Sequence, residues 1–166
     1  MSRTGWLRGF DIASGLTDAD VDLLERILVV STHPAGHTFL REGDRADGVT
    51  AAMYFVIEGS VAVAAKAPAG GFGVQATLGA GEVFGAVALV ADLPRTATCR
   101  AVTPITVARL DRRTFDELFR KNVGLHARFQ LVIARSLAGD LRRLRALLVR
   151  SFADGDDAPL RERFGG

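Results

Sequence analysis

The sequence is poor in the residues that hold disulfide-rich domains and metal sites together. Its 166 residues include one cysteine, Cys99, which excludes an internal disulfide and every multi-cysteine metal site and favours a reducing compartment. The three histidines, His33, His37 and His126, are dispersed and predict no metal site. No apolar run approaches the roughly 18 residues of a membrane span, and the first residues lack the apolar core of a signal peptide. We therefore expect a cytoplasmic protein that neither binds a metal nor enters a membrane.

An excess of charge of one sign is also missing. The 21 basic residues nearly balance the 19 acidic ones, and a formal net charge of +2 is weak support for nucleic-acid binding. The sequence has no Gly-x-Ser-x-Gly motif and no P-loop, so catalysis is not expected. With 48% hydrophobic and 24% charged residues, the composition is that of one globular domain.

Most of the middle of the chain, residues 36–110, is predicted to be β-structure. Short runs rich in β-branched and aromatic residues alternate with Gly, Asp and Pro turns, which is typical of a sandwich or a closed barrel. The runs are HTFLR, MYFVIEG, SVAVAAK, FGVQATL, TATCRAV and ITVARL. One stretch breaks the pattern, because residues 86–91 predict a short helix between Gly85 and Pro94.

Helices are predicted on both sides of this β-rich part. Residues 1–35 are expected to form an N-terminal helical segment, in which Thr17 and Asp20 resemble a capping arrangement. Residues 111–151 predict a short helix and then a long one, and residues 152–166 form a polar tail. The long helix, from about Leu125 to Ser151, carries leucines at spacings of 4, 3 and 4, which is typical of two helices packed together. These leucines are Leu137, Leu141, Leu144 and Leu148.

The stretch FGAVALVADLPRTAT, residues 84–98, brings together a glycine, a short predicted helix and an arginine. Gly85 lets the backbone approach a ligand closely, and the helix start offers free amides to an anion. Arg95 follows a proline-fixed turn and can close on the same anion beside the hydroxyl of Thr96. The pattern indicates a phosphate cradle. The alternative from the residues alone is an arginine that pairs with a surface carboxylate such as Asp92.

These residues resemble the cyclic nucleotide-binding domain family. The phosphate-binding cassette of that family reads approximately F-G-E-[IL]-A-L and then, after four or so residues, P-R-[TS]-A. This chain has FGAVAL and PRTA in the corresponding places. PAGHTFLREGD and MYFVIEGSVAV resemble the family's early strands, and ITVARLDRRTFDELF resembles its last strand and the following helix. The resemblance implies a jelly-roll β-barrel with an N-terminal helix and a long C-terminal helix that covers the ligand.

The resemblance also implies the ligand and the site. The ligand would be cAMP or cGMP, with no cofactor and no metal. The amides of residues 85–88 and the guanidinium of Arg95 would hold the cyclic phosphate, while Thr96 would reach the phosphate or a guanine amino group. The implied binding residues of the cassette are Phe84, Gly85, Ala86, Val87, Ala88, Arg95, Thr96 and Ala97, and those facing the ribose and base include Val61 and Val63.

Two departures from the family pattern affect this expectation. The family usually places a glutamate at the position of Ala86, where it accepts a hydrogen bond from the ribose 2′-hydroxyl. Losing a hydrogen bond to a charged group costs about 1.5–3 kcal/mol, or roughly 10- to 150-fold in affinity. The second departure is a longer turn, in which Gly48 to Ala52 are expected to form an extra loop.

The resemblance implies a stand-alone sensor that signals through its long helix to an effector protein of unknown identity. The alternative is a degenerate, ligand-independent module for dimerisation or protein interaction, which Ala86 favours and Arg95 opposes. In either case the resemblance favours a homodimer through the leucines of the long helix. A regulator of the cAMP receptor protein type needs roughly 70 further residues for a winged helix-turn-helix, whereas 15 follow Ser151, so direct DNA binding is not expected.

Overall fold

The strands of the computed structural model, which describes residues 5–47, 50–66, 72–91 and 93–153, form two four-stranded antiparallel sheets. The first sheet has the order β1 (Val29–His33), β8 (Ile105–Asp111), β3 (Ala52–Glu58) and β6 (Val83–Phe84). The second has the order β2 (Thr38–Leu40), β7 (Thr98–Ala101), β4 (Val61–Lys66) and β5 (Phe72–Leu78). The jelly-roll fold is thus confirmed, and each of the six β-rich runs contains a strand.

The helices flank these sheets in the predicted order. They are α1 (Asp18–Ile27), the short α2 (Val87–Val90), α3 (Arg112–Lys121) and α4 (Val123–Ala153), preceded by 3-10 turns at Leu7–Gly9 and Asp11–Gly15. The long C-terminal helix is confirmed. No helix in the described part of the chain is long and apolar enough to cross a membrane.

The N-terminal helical segment is shorter than the predicted 1–35. Helix α1 ends at Ile27, and the next residues form β1, which pairs along its whole length with β8. The run of β-branched residues in VVSTH suits an extended strand, and pairing with β8 supplies its backbone hydrogen bonds. The extra loop expected from Gly48 to Ala52 also ends earlier than predicted, because Ala52 is already the first residue of β3. Gly48, Val49 and residues 154–166 lie outside the described residues.

The central strands of the first sheet are buried on both faces, which explains their nearly continuous hydrophobic sequence. One face of β3 and β8 packs with the helices through Met53, Phe55 and Leu110. The other face contributes Val56 and Val107 to the core between the two sheets. Side chains alternate between the two faces of a strand, so a strand covered on both sides needs apolar residues at nearly every position.

The first half of α4 is fixed to this core. Its residues Leu125, Phe129, Val132 and Ile133 are all buried against the first sheet, α1 and α3. An ion pair ties the same half to the start of α1. The Nε and Nη2 atoms of Arg128 donate to the two carboxylate oxygens of Asp20 at 2.6 and 2.9 Å, and Asp20 is only 4% exposed. The base of α4 is therefore a rigid part of the fold.

We expect Asp20→Asn to lower the free energy of unfolding by about 1–3 kcal/mol at neutral pH, because a buried carboxylate loses hydrogen bonds from Arg128 and from the backbone amide of Thr17. The hydrogen bonds from Arg128 hold the pKa of Asp20 at about 2, below its ordinary 3.8. The stabilisation is therefore present above about pH 5 and is lost as the pH falls toward 2.

Urea titrations between pH 7 and pH 2 measure this effect. The gap between the wild type and Asp20→Asn should close as the pH falls. The control is Asp22→Asn on the same helix, since Asp22 is 60% exposed and pairs with Arg8 at 3.5 Å. Equal losses of unfolding free energy in the two variants would contradict a stabilising role of the pair between Asp20 and Arg128.

Candidate ligand-binding site

A cavity of about 450 Å³ opens between the second sheet, the segment around α2 and the middle of α4. Ligand pockets in proteins span roughly 300–1,000 Å³, so the cavity is large enough for a small organic ligand. The second sheet and its neighbours contribute apolar side chains, while α4 contributes a mixed face. The residues from the sheets are Leu40, Val63, Ala76, Leu78, Val83, Phe84 and Cys99, and those from α4 are Ser136, Leu137, Asp140, Leu141 and Arg143.

The structure places nearly all of the predicted site residues around this cavity. Those that line it are Val63, Phe84, Gly85, Ala86, Val87, Ala88, Arg95, Thr96 and Ala97. Val61 does not: it is fully buried in the core between the sheets, where it packs with residues of both. Val61 and Val63 share one face of β4, but Val61 lies opposite the buried Leu78 and Ala101, whereas Val63 lies opposite Ala76 and Cys99, which both line the cavity.

Gly85 lines the cavity where the cassette backbone approaches β3 closely. Its φ of +78° is in the left-handed region, and a Cβ there would lie 2.8 Å from the carbonyl oxygen of Ala52 and 3.4 Å from Nη1 of Arg95. An L-residue would therefore be strained and would also push against the backbone of β3. Glycine at this position keeps the cassette pressed against β3 and leaves room for the guanidinium.

Arg95 is the central polar residue of the site. It is only 8% exposed, and its guanidinium donates from Nη2 to the carbonyl oxygen of Thr50 at 2.7 Å, from Nη1 to that of Gly85 at 3.2 Å, and from both to that of Ala52 at 3.3 Å. Its own backbone is held by Gly43 and Asp44 through two hydrogen bonds of 2.8 and 2.9 Å. The side chain has therefore not turned outward toward solvent.

The positive charge of Arg95 lacks a direct counterion in the described part of the chain. None of the carboxylates described there lies within salt-bridge distance of it. Burial lowers the pKa of Arg95, and Tyr54, Cys99 and Asp44 offset part of that effect. An arginine remains protonated under ordinary conditions, so the cavity wall carries a cation that only backbone carbonyls contact among the described residues. Asp92, the carboxylate considered as its surface partner, lies outside the described residues.

The backbone carbonyls that hold Arg95 are the part of the site that sequence reasoning missed. Thr50 and Ala52 belong to the longer turn whose purpose the sequence left open, and Thr50 is itself fixed by hydrogen bonds to Asp47. Every residue carries a carbonyl, so no side-chain pattern marks these positions. The longer turn thus serves to anchor the arginine.

The α4 face of the cavity combines polar and apolar groups. Asp140 is exposed as a whole residue, but partial desolvation of its carboxyl at the cavity rim raises its pKa, an effect that Arg143 opposes and Glu82 strengthens. Leu137 and Leu141, two residues of the predicted leucine seam, line the cavity. The side chains of Leu144 and Leu148 lie outside the described ones, so pairing through this seam stays a prediction.

Cys99 contributes a thiol to the cavity wall but no reactivity. It is buried, and burial raises the pKa of the thiol to about 12, against a smaller opposing effect of Arg95. Only the thiolate is a good nucleophile or metal ligand, so Cys99 is a small apolar lining residue.

Comparison with known proteins assigns the chain to a family. The family model described as "Cyclic nucleotide-binding domain" matches residues 30–122, more than half of the chain. The chain belongs to the cyclic nucleotide-binding domain family. The match includes the whole cassette, Arg95 and the strands that hold it.

Two curated relatives illustrate the range of proteins that carry this domain. The chain is 37% identical over 114 residues to a cAMP-dependent protein kinase regulatory subunit of Yarrowia lipolytica, which covers 69% of this chain and 28% of the relative. It is 38% identical over 93 residues to a cyclic nucleotide-gated potassium channel of Mesorhizobium japonicum, which covers 56% of this chain and 23% of that protein. The chain thus spans about a quarter of the length of these relatives.

The fold is shared with solved members of the family. A cyclic nucleotide-binding domain from Methylobacillus flagellatus superposes with a TM-score of 0.77 over 90% of this chain and 82% of the other, at 21% identity. At that identity the likeness concerns the fold. It extends over the helices as well as the sheets.

We expect Gly85→Ala to destabilise the domain more than Gly43→Ala. Both glycines have φ near +80° to +90°, at +78° and +87°, so both variants bear the cost of a left-handed alanine, about 1 kcal/mol. Only at Gly85 would the Cβ also meet backbone and side-chain atoms, whereas Gly43 faces open space. Thermal and denaturant unfolding should show an additional loss of at least about 1 kcal/mol for Gly85→Ala. Equal losses would mean that the cassette adjusts without strain.

Proposed function

We propose that the chain is a regulatory sensor domain that binds cAMP or cGMP in the 450 Å³ cavity, with Arg95 holding the cyclic phosphate. The observation that carries the proposal is the buried guanidinium of Arg95 at the cavity wall, which pairs with none of the carboxylates in the described part of the chain. A buried charge without a counterion is costly, and a phosphate anion in the cavity would offset that cost. Membership of the cyclic nucleotide-binding domain family supports the same ligand class.

The arrangement of donors suits one anionic end of a ligand. The described hydrogen bonds of Arg95 come from Nη1 and Nη2, which leaves the N–H of Nε for an anion. Residues 85–88 and Thr96 line the same cavity, which makes their backbone amides and the Thr96 hydroxyl candidate donors to the same anion. The rest of the lining is mainly apolar and suits a base and a ribose, with Val63 and Leu137 on opposite sides.

The sensor would report ligand through α4. Its middle lines the cavity while its base is fixed in the core, so a ligand that contacts Leu137 and Asp140 binds one position of the helix better than others. Differential affinity of this kind shifts the population of helix positions. The names of the kinase regulatory subunit and the gated channel support signalling to another protein or domain. A homodimer through Leu137, Leu141, Leu144 and Leu148 is one form that this signalling could take.

One observation favours the alternative of a ligand-independent interaction module. Ala86 lines the cavity and is only 5% exposed, but its methyl group accepts no hydrogen bond from a ribose hydroxyl. The carbonyl oxygens of Thr50, Ala52 and Gly85 also give Arg95 a structural role, since they tie the longer turn to the cassette through the guanidinium. The two functions differ in whether the cavity takes up a nucleotide.

Calorimetric titration of the nucleotide-stripped protein with cAMP and with cGMP tests the proposal. We expect binding in the wild type and a loss of at least about 100-fold in affinity in Arg95→Ala, because a charge-assisted contact with the phosphate is removed. Arg100→Ala is the matched control, since Arg100 is exposed in the next strand and its Nε donates to the carbonyl of Gly36. Thermal melts of both variants check that they fold. Absence of heat with either nucleotide up to millimolar concentration would favour the ligand-independent module.

We expect Ala86→Glu to strengthen binding of cAMP by roughly ten-fold or more, because a carboxylate at this cavity position can accept from the ribose 2′-hydroxyl. The control is a second ligand, 2′-deoxy-cAMP. Because it lacks the 2′-hydroxyl, it should bind Ala86→Glu no more tightly than it binds the wild type. Paired titrations of wild type and Ala86→Glu measure both effects. Equal gains for the two ligands would show that the missing acceptor is not what limits affinity.

A further inference from the structure

The burial of the side chains of helix α4 changes about halfway along its length. Up to Leu137 its inward side chains are packed in the core, but from residue 138 the described side chains are exposed, including Leu141 at 68%. Gly139 lies at this boundary, and nothing approaches within 4 Å of where its Cβ would be. Glycine lowers the intrinsic stability of a helix interior, so α4, although continuous, is weaker at the boundary between its two halves.

One ion pair connects this second half to the strands. Nη1 of Arg143 donates to Oε1 of Glu82 at 2.7 Å, across 61 residues of sequence, and the two side chains are 46% and 36% exposed. The other carboxylate oxygen of Glu82 accepts from the backbone amide of Gly79 at 2.8 Å. Glu82 is thus fixed in the turn that leads into β6 and the cassette. In the described part of the chain, this is the ion pair that joins α4 beyond residue 137 to the sheets.

We propose that the Glu82–Arg143 ion pair is a latch that positions the second half of α4 over the cavity mouth before any ligand binds. Three cavity-lining residues, Asp140, Leu141 and Arg143, belong to the half that the latch holds. Glu82, two residues before the cassette, is therefore engaged with the helix, while Ala86 offers no carboxylate to the ligand. The positioning role stands on the contact between Glu82 and Arg143, and only its effect on affinity rests on the proposed function.

The charges around the latch determine how it responds to mutation and to salt. Arg143 faces two acids, Glu82 from the turn before β6 and Asp140 from its own helix. Reversing the charge of Arg143 would place three carboxylates together and repel the helix from the cavity. Because both partners are partly exposed, added salt screens their attraction and should loosen the helix in the same direction.

Amide hydrogen exchange of the nucleotide-free protein tests the latch directly. We expect Arg143→Glu and Glu82→Arg each to speed exchange of residues 138–146 by about three- to ten-fold, and the double charge swap to restore it to within about two-fold of the wild type. Residues 125–133, which are packed in the core, serve as an internal reference and should not change. Arg142→Glu is the matched control, because its Nε donates only within the helix, to the carbonyl of Ala138.

The outcomes separate the latch from the proposed function. Unchanged exchange in the two single variants, or a double swap that fails to restore it, would overturn the latch whether or not a nucleotide binds. Titration with cAMP then adds the second readout, with two- to ten-fold weaker binding expected in each single variant and recovery in the swap. Altered exchange in a protein that shows no heat with either nucleotide would support the latch and reject the proposed function.

Discussion

The burial of one guanidinium is the constraint on which the site depends. Arg95 binds the carbonyls of Thr50, Ala52 and Gly85, so it connects a surface turn, the start of β3 and the cassette at one point. This arrangement makes two demands on the backbone. Gly85 must adopt the left-handed conformation, and the longer turn must point its carbonyl groups toward the guanidinium. The cost of burying the charge is offset in part by these dipoles, and a phosphate in the cavity would offset the rest.

The rest of the fold holds this point still. The first sheet is covered by helices on one face and by the second sheet on the other, so β3 cannot shift without disturbing two cores. The cassette begins at the edge of the first sheet, where β6 pairs with β3 for only two residues before the chain turns into α2. A short pairing followed by a four-residue helix leaves the cassette backbone close to the cavity, while the deep sheet beneath it supplies rigidity.

The two halves of the long helix are attached differently, the first by packing in the core and the second through an ion pair. Leu125, Phe129 and the pair between Arg128 and Asp20 make its base part of the core, whereas the end over the cavity is attached through a partly exposed ion pair. Contacts of this kind are weak and screened by salt, so they hold the second half of the helix less firmly than the core holds the first. The proposed sensor function requires such a division, because a helix that responds to ligand must be stable as a helix and marginal in its placement.

The amino-acid sequence by itself determined a β-rich middle of the sandwich or barrel type and the flanking helices, because these depend on periodicity and on local requirements such as the capping residues Thr17 and Asp20. The jelly-roll fold and the position of the cassette came from the resemblance of its motifs to a known family. It did not reveal β1, whose residues become a strand only because the edge of β8 is there to pair with them. The placement of Val61 in the core was likewise missed, since β4 is buried on one side by a partner sheet that no local pattern describes.

Tertiary structure alone decided how the site is held together. The carbonyls around Arg95 carry no sequence signature, and the pairing of Glu82 with Arg143 joins residues 61 positions apart. The two leucines Leu137 and Leu141 read from the sequence as part of a helix seam, but folding brings them to the cavity. Backbone acceptors and long-range charge pairs form between segments that the hydrophobic cores bring together. They therefore follow from the fold and cannot be predicted from the sequence alone.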